Sequence, residues 1–372
     1  FCTPGIVMSL YDLWLKSSVL TDKNIEKALQ GNLCRCTGYG SIISAAKSID
    51  DFGNSRSDGL IRNRATMKNN LQNLCQKKDL IGTFDQSKYI IPRTVDSFSK
   101  LYLDNPNATI IAGATDVALW ITKDLSSIVS IIFIGNIEDL QNVEELPHCF
   151  TVGTCVTYTK FEPVLLNYYP DVSDYVNRIA GEQIRNVGTI GGNIANGSPI
   201  GDLAPLFIAL RADLTLRKGS KTRVVEVENF FIDYGVQNIK RSEFIEKISI
   251  PINPNLLVFA YKISKRRDED ISTVAAVFSF EVLDGKLVNV RLAFGGMAAT
   301  PKRALSAEQV LEGKIFDVAL AKLAQLALER DFDPISDVRA SNEYRIQVAK
   351  NLLSKCCHEY SNSERIRLSR ES

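Results

Sequence analysis

Apolar positions recur at helical spacing through the first fifty residues. The first predicted helix turns one face inward, formed by Val7, Leu10, Trp14 and Leu15. Thr21 and Asp22 are capping candidates for a second helix, whose predicted inward positions are Ile25, Ala28 and Leu29. A third helix is predicted after the loop at residues 31–40. The pattern therefore indicates a helical domain over residues 1–52.

The pattern changes after this helical part. Residues 53–82 are polar, rich in Gly and Ser and without a sustained period, which predicts a surface linker. From residue 83 to 254, short β-branched runs alternate with helical stretches, which is typical of an α+β domain. The predicted strands are Thr109–Ala112, Ile128–Ile134, Phe150–Thr154 and Leu214–Leu216. The predicted helices include Thr94–Asn105 and Asp202–Arg211.

A further α+β domain is predicted over residues 255–361, after Pro251 and Pro254. Two strands, Ala275–Leu283 and Lys286–Gly295, are joined by Asp284-Gly285, the signature of a tight hairpin turn. Two helices follow, at about Asp317–Glu329 and Asn342–Tyr360. Residues 362–372 are predicted to be a tail. The expected fold class is thus α+β and multidomain.

Composition and charge exclude several classes of protein. Across 372 residues, 44 Lys and Arg balance 43 Asp and Glu, so the net charge of +1 gives no global attraction to nucleic acid or anionic membranes. No apolar run approaches the roughly 20 residues that a membrane span needs. Eight cysteines are too few for a disulfide scaffold, so a reducing cytoplasm is expected. Because the first residue is Phe1 and not Met, we expect a piece of a longer chain.

Three cysteines near predicted helix ends form a candidate metal site. Cys2 begins the first helix, and Cys34 and Cys36 form a C-x-C pair between helices. Unpaired N–H groups at helix N-termini stabilise thiolates. A two-iron cluster binds four thiolates, so the fourth would lie upstream of Phe1. Three buried cysteines without metal, which the spacing alone favours, and a zinc site are the alternatives.

Two segments of small residues form a candidate phosphate site. Residues 109–117 run from a strand into a small-residue loop, and residues 184–202 carry five glycines among hydrogen-bonding side chains. Small side chains let backbone N–H groups approach a diphosphate, and the neighbouring hydroxyls and amides suit a polyol. A tight turn and an irregular surface loop are the respective alternatives. Neither segment matches G-x-G-x-x-G, so a Rossmann nucleotide fold is not indicated.

These motifs resemble those of the molybdenum hydroxylases. Residues 1–9 and 31–39 are similar to the family's second two-iron domain, whose C-G-x-C-T-P-G motif matches Phe1 and Cys2 at its third and fourth positions. The two small-residue segments are similar to its FAD domain. Further similarities are F-F-x-x-Y, K-x-S-x-R-x-x-D-I and F-G-G-M-A-x-T-P-x-R-A, at residues 230–234, 262–271 and 294–304. The resemblance covers essentially the whole chain in family order.

The resemblance implies an FAD-binding domain of the vanillyl-alcohol oxidase (PCMH) type and a C-terminal domain like that of CO dehydrogenase flavoproteins. The implied FAD phosphate contacts are Ile110, Ile111, Ala112, Gly113, Ala114, Thr115, Asp116, Val117, Thr189, Ile190, Gly191, Gly192 and Asn193. Asp202 would hold a flavin-side hydroxyl, and Ile179 replaces an aromatic residue at the adenine. Ile245 and Lys262 would lie near the flavin. Cys2, Cys34 and Cys36 would be three of four [2Fe-2S] ligands.

Around the flavin ring, the resemblance implies further roles. Tyr234 would gate access for nicotinamide, and Arg266 and Arg267, with Lys262, would stabilise negative charge on the reduced flavin. From the residues alone, a solvated charged loop is the favoured interpretation of Lys265–Asp270. No residue of this chain is expected to be an acid–base catalyst of hydroxylation.

The expected function is that of an oxidoreductase subunit. Electrons would pass from molybdopterin on a large partner subunit through [2Fe-2S] to FAD and then to NAD+, in a dimer of heterodimers. Flavin and iron–sulfur regions on one chain favour the xanthine dehydrogenase layout, with oxidation of hypoxanthine and xanthine to urate. The alternatives are an aldehyde oxidase or CO dehydrogenase type of enzyme, and a flavin-free assembly subunit.

Overall fold

The computed structural model describes residues 1–16, 19–74 and 78–363. The predicted tail at 362–372 lies outside the described residues from position 364 onward, as does Cys75. Within the described ranges, no helix combines the length and apolar character that crossing a bilayer requires.

The N-terminal region is helical, as predicted. Its helices are α1 (Cys2–Leu15), α2 (Asp22–Ala28) and α3 (Gly40–Lys47). Ile25, Ala28 and Leu29 are buried as expected, and the Thr21 hydroxyl accepts the Asn24 N–H as the cap of α2. The predicted face of α1 is confirmed only in part: Leu10 is buried and Trp14 and Leu15 are half-buried, but Val7 is exposed. The fully buried residues of α1 are Ile6, Leu10 and Leu13. Both sets have helical spacing, and the buried stripe is rotated by one residue, with Ile6 and Leu13 in place of Val7 and Trp14.

The predicted linker contains a regular helix, which corrects the interpretation of residues 53–82 as irregular. Helix α4 (Gly59–Leu74) has no buried residue. It begins at Asp58, whose carboxylate accepts the Leu60 N–H at 2.7 Å and the Tyr11 hydroxyl at 2.9 Å. Strong helix formers and the absence of proline favour this helix. An amphipathic pattern does not reveal it, because no face of the helix is buried.

The middle region is built on two sheets. The first has the order β1-β2-β4-β3, with strands Leu80–Phe84, Ser87–Ile91, Thr109–Ile111 and Ser130–Phe133 numbered along the chain. Strand β2 runs antiparallel to β1, and β4 lies parallel to both β2 and β3. Helices α5 (Val95–Asp104) and α6 (Val117–Thr122) connect these strands. The loop after β3 is the first small-residue segment.

The second sheet is antiparallel, with the order β5-β6-β11-β7-β8. Its strands are β5 (Val143–Glu145), β6 (Cys149–Gly153), β7 (Asp213–Lys218), β8 (Lys221–Glu226) and β11 (Phe244–Pro251). A small hairpin, β9 (Phe231–Asp233) with β10 (Val236–Gln237), precedes β11. Between β6 and β7 lie α7 (Tyr158–Tyr168), α8 (Ser173–Asn177), α9 (Glu182–Arg185), α10 (Ile190–Ala195) and α11 (Leu203–Ala209). Phe150, Phe161 and Phe207 are fully buried in the shared core.

The C-terminal region packs helices on an antiparallel sheet. The sheet order is β12-β13-β14-β15, with strands Leu257–Ile263, Val274–Leu283, Lys286–Gly295 and Lys302–Arg303. Asp284 and Gly285 both have positive φ, 50° and 75°, which confirms the predicted hairpin turn. The covering helices are α12 (Leu305–Leu311), α13 (Val318–Asp331) and α14 (Asn342–Asn362). The predicted α+β organisation is therefore confirmed.

Candidate functional site

The two small-residue segments are in direct contact. A Cβ added to Gly113 would lie 1.8 Å from the Val187 carbonyl oxygen and 3.1 Å from Gly188 Cα. Only glycine permits so close an approach of two backbones. Beyond this contact, Ala114 has φ of 60°, and Ala114 and Asp116 are exposed while the rest of Ile110–Val117 is half-buried. The sequence predicted both segments, and the structure brings them together.

The start of α10 forms the second wall of this junction. The Thr189 hydroxyl accepts the Gly192 N–H at 3.1 Å, and Ile190 is buried. A Cβ on Gly191 would lie 1.7 Å from Thr154 Oγ1, so the start of α10 is held against the end of β6. This side of the junction is therefore rigid, as a binding surface requires.

Asn193 supplies the test of whether a ligand fits here. Its Oδ1 atom is buried and has no hydrogen-bond partner among the described residues. A Cβ on Gly201 would lie 3.4 Å from this oxygen, so glycine leaves space beside it. A buried acceptor without a donor costs about 1–3 kcal/mol, a cost that a ligand hydroxyl removes. The junction therefore fits a ligand that presents a hydroxyl donor to Asn193.

A buried charge pair lies at the end of the second segment. Lys262 Nζ is 2.6 Å from Asp202 Oδ2, and both side chains are almost fully buried. The Ser272 hydroxyl donates to Asp202 Oδ1 at 2.5 Å, and the Tyr175 hydroxyl donates to the Asp202 carbonyl at 2.6 Å. Burial, followed by the Asp202 charge, raises the pKa of Tyr175 well above its usual range. Asp202 and Lys262 were predicted separately, and the structure brings them into one network.

The charged loop after β12 is tied to the middle region. Arg178 donates to the Lys262 carbonyl at 2.5 Å, to the Arg267 carbonyl at 2.9 Å and to Ser264 Oγ at 2.9 Å. Arg266 pairs with Asp270, and its side chain is 69% exposed. The positive charges of Arg266 and Arg267 therefore lie at the surface, in contrast to that of Lys262. Arg178 carried no sequence signal, because its partners are more than 80 residues away.

Three other predicted residues lie in different surroundings. Ile179 and Ile245 are buried in the hydrophobic core, at 6% and 3% exposure. Tyr234 is 71% exposed at the tip of the β9–β10 hairpin. This hairpin contacts the second segment, because a Cβ on Gly197 would lie 2.0 Å from Gln237 Nε2.

The loop at residues 31–40 (the cysteine loop) places Cys34 beside Cys2, so two of the three predicted thiols lie together. Cys2 packs on the cluster of apolar residues that includes Cys34, whereas Cys36 is exposed. The Thr37 hydroxyl donates to Cys34 Sγ at 3.3 Å, and this bond, with the N–H groups of Cys36 and Thr37, lowers the pKa of Cys34 to about 7. A lowered pKa favours the thiolate that binds metal. Over residues 1–16, 19–74 and 78–363, no three His, Cys, Asp or Glu side chains form a ready metal site.

The cysteine loop is joined to the small-residue junction through α9. Gln183 Nε2 donates to the Gln30 carbonyl at 2.7 Å, and Lys16 Nζ is 2.9 Å from Glu182 Oε1. A Cβ on Gly31 would lie 2.9 Å from Gln183 Oε1. Helix α9 leads directly into Val187 and Gly188, so one short stretch contacts both candidate sites. No sequence motif pointed to Glu182 or Gln183.

Three family models match the chain in order. They are the [2Fe-2S] binding domain at residues 1–47, the FAD binding domain in molybdopterin dehydrogenase at 83–253, and the CO dehydrogenase flavoprotein C-terminal domain at 259–360. These matches confirm the predicted fold class, and they agree with the resemblance to the molybdenum hydroxylases that the sequence motifs carry. The exact domain boundaries stay a prediction.

The chain is similar in sequence to xanthine dehydrogenases and in structure to a CO dehydrogenase chain. Xanthine dehydrogenase of Emericella nidulans is 28% identical over 90% of this chain, and that of Dictyostelium discoideum is 29% identical over 89%. The chain spans only 28% and 30% of these two proteins. A solved CO dehydrogenase chain from Oligotropha carboxidovorans is 26% identical with a TM-score of 0.67, covering 74% of this chain and 96% of that one.

Proposed function

We propose that this chain binds FAD at the junction of the two small-residue segments and serves as the electron-transferring flavin part of a molybdenum hydroxylase. The contact between Gly113 and Val187 carries this proposal, because it joins two distant segments into one backbone-lined turn. The match of residues 83–253 to an FAD binding domain of molybdopterin dehydrogenases supports it. Bound FAD would supply the two-electron carrier, and the chain would hold and orient it.

The proposed roles follow from the chemistry of each segment. Ile110–Val117 and Thr189–Asn193 would line the diphosphate, and Asn193 Oδ1 would accept a ligand hydroxyl. Because the N–H groups of residues 190–193 already bond within the chain, the N–H donors to the diphosphate would come from the loop after β3. Asp202 would accept another hydroxyl while Lys262 balances its charge. Ile179 and Ile245 are buried, so their proposed part is to support the site from the core. Tyr234, exposed on its hairpin, would contact nicotinamide.

We also propose that Cys2, Cys34 and Cys36 ligate a [2Fe-2S] cluster. The match of residues 1–47 to a [2Fe-2S] binding domain supports this ligand set, as does the thiolate-favouring environment of Cys34. Two-iron clusters bind four thiolates, so a fourth ligand from outside these three is required. The contacts of Gln30 and Gly31 with Gln183 support a direct connection between cluster loop and FAD segment.

For the complete enzyme we propose a xanthine dehydrogenase type of cytoplasmic assembly. A large partner subunit with the molybdenum cofactor would oxidise a purine, this chain would pass the electrons to NAD+, and two such heterodimers would associate. The similarity to two xanthine dehydrogenases over about nine-tenths of the chain supports this choice. The CO dehydrogenase type remains the second candidate, supported by the structural match to a CO dehydrogenase chain.

Titration of the purified chain with FAD tests the proposed cofactor. Measured by the change in flavin fluorescence, FAD should bind saturably with one molecule per chain. FMN, which lacks the diphosphate link to adenosine, should bind more weakly. The flavin-free assembly subunit would be favoured instead if FAD showed no saturable binding. Assays of the complete complex with purines, aldehydes, carbon monoxide and NAD+ then separate the two enzyme types.

Anaerobic reconstitution with iron and sulfide tests the cluster. Cys36→Ser should lower the iron bound per chain, whereas Cys149→Ser, which replaces a half-buried cysteine on β6, should leave it unchanged. Equal iron content in both variants would contradict the proposed ligand set.

A further inference from the structure

Arg345 on α14 is a buried cation outside every motif considered above. Its side chain is 2% exposed, and its Nη2 atom is 2.7 Å from Asp337 Oδ1. Asp337 also pairs with Arg339 at 2.8 Å. Burying a guanidinium is costly unless its donors are satisfied, so the remaining contacts of Arg345 decide what it stabilises.

The remaining contacts are two backbone carbonyls from separate strands. Arg345 Nη1 donates to the carbonyl of Thr273, just before β13, and at 2.9 Å to that of Gly296, just after β14. Gly296 has φ of 77°, and a Cβ there would lie 2.6 Å from the Thr273 carbonyl oxygen. One guanidinium therefore holds two turns at a junction that admits only glycine.

Both turns lead to Asp202. Ser272, the neighbour of Thr273, donates its hydroxyl to Asp202 Oδ1 at 2.5 Å. The Gly296 N–H donates to the Pro199 carbonyl at 2.9 Å, three residues before Asp202. The Asp202 side chain is thus bonded to Ser272, which precedes the Thr273 carbonyl that Arg345 binds. The backbone before Asp202 is bonded to Gly296, whose carbonyl Arg345 also binds.

We propose that Arg345 is a positioning residue, which sets the orientation of Asp202 by holding the Thr273 and Gly296 turns together. Helix α14 of the C-terminal region would then support the cofactor site through the Thr273 and Gly296 turns. This inference rests on the proposed FAD function, but the orientation of the turns can be measured without cofactor.

Arg291 offers a matched control for substitutions of Arg345. It is also a buried arginine, donates to the Ile208 carbonyl at 2.9 Å and pairs with Glu228 at 3.2 Å. In both residues the Nε atom is buried without a partner among the described residues. Ile208 lies at the opposite end of α11 from Asp202, about 9 Å along the helix axis.

The test compares Arg345→Met and Arg345→Lys with Arg291→Met in the full chain. In cofactor-free protein, hydrogen exchange of peptides covering residues 199–202 and 272–273 should accelerate in Arg345→Met and not in Arg291→Met. The FAD dissociation constant should rise at least tenfold in Arg345→Met, less in Arg345→Lys, and less than about twofold in Arg291→Met. Thermal stability should fall in both methionine variants.

If Arg345→Met and Arg291→Met changed hydrogen exchange and FAD affinity equally, both arginines would have a general structural role and the proposal would be overturned. Unchanged hydrogen exchange in Arg345→Met would also overturn it. If Arg345→Met does not fold, the same measurements on Gly296→Ala and Arg345→Lys test the proposal. The Cβ added at Gly296 would push the Thr273 and Gly296 turns apart. The wild-type chain could fail to bind FAD while the exchange difference between the variants persists. That result would refute the proposed FAD function but not the positioning role of Arg345.

Discussion

Substitution of Gly113 by alanine tests the junction of the two small-residue segments. The added Cβ would lie 1.8 Å from the Val187 carbonyl oxygen and 2.6 Å from its carbonyl carbon. Both atoms belong to backbone, so no side-chain rotation relieves the overlap. The loop after β3 and the turn before α10 must therefore move apart.

The size of the movement follows from contact distances. Real Cβ atoms essentially never approach other heavy atoms closer than 3.0 Å, so the separation must grow by at least 1.2 Å, the difference between 3.0 and 1.8 Å. Overpacking of this kind costs about 1–3 kcal/mol. Because FAD is proposed to bind only the closed junction, this cost opposes binding. Since a tenfold change in affinity corresponds to about 1.4 kcal/mol, we expect the FAD dissociation constant to rise between about fivefold and about a hundredfold.

The assay is FAD titration by fluorescence, with thermal unfolding of the cofactor-free chain measured in parallel. Gly59→Ala is the matched control, because a Cβ there would meet nothing within 4 Å. A Gly113→Ala chain that binds FAD as tightly as wild type would refute the reasoning, because FAD would then not depend on the closed junction.

Three further outcomes are expected. Lys262→Met should lower the free energy of unfolding in urea by about 3 kcal/mol or more because it leaves Asp202 buried without its partner, and a loss below about 1 kcal/mol would contradict this. Although burial opposes it, hydrogen bonds from neighbouring N–H and guanidinium groups hold the pKa of Asp337 well below 3.8. The stability difference between wild type and Asp337→Asn should therefore be fully present above about pH 4 and shrink as the pH falls further, whereas a pH-independent difference would argue against it. Burial raises the pKa of Cys155 to about 12, so alkylation of the folded, cluster-free chain at pH 8 should label exposed Cys36 and spare Cys155, as mass spectrometry would show.

The sequence predicted elements whose signal is local. The hairpin turn at Asp284-Gly285 and the helix cap at Thr21 depend on residues close in sequence, and both are confirmed. Helix α4 was missed because its evidence is propensity and the Asp58 cap, not an apolar face. Periodicity detects burial, and this helix buries none of its residues.

Contacts between distant residues could not be predicted from the sequence. Asp202 and Lys262 were named separately, but their pairing depends on how β12 lies against α11. Ser272 and Arg345 had no local signal at all, although they complete the surroundings of Asp202. A buried polar group needs a partner, yet that rule does not say which part of the chain supplies it.

The two side-chain contacts that join α9 to the N-terminal helical region respond differently to ionic strength. Lys16 and Glu182 are partly exposed, so their attraction is weak and is screened further by added salt. The bond from the Gln183 amide to the Gln30 carbonyl joins uncharged groups and is largely insensitive to salt. The spacing between the two candidate sites therefore depends on a neutral contact, and it should hold across the range of salt concentrations that a cell experiences.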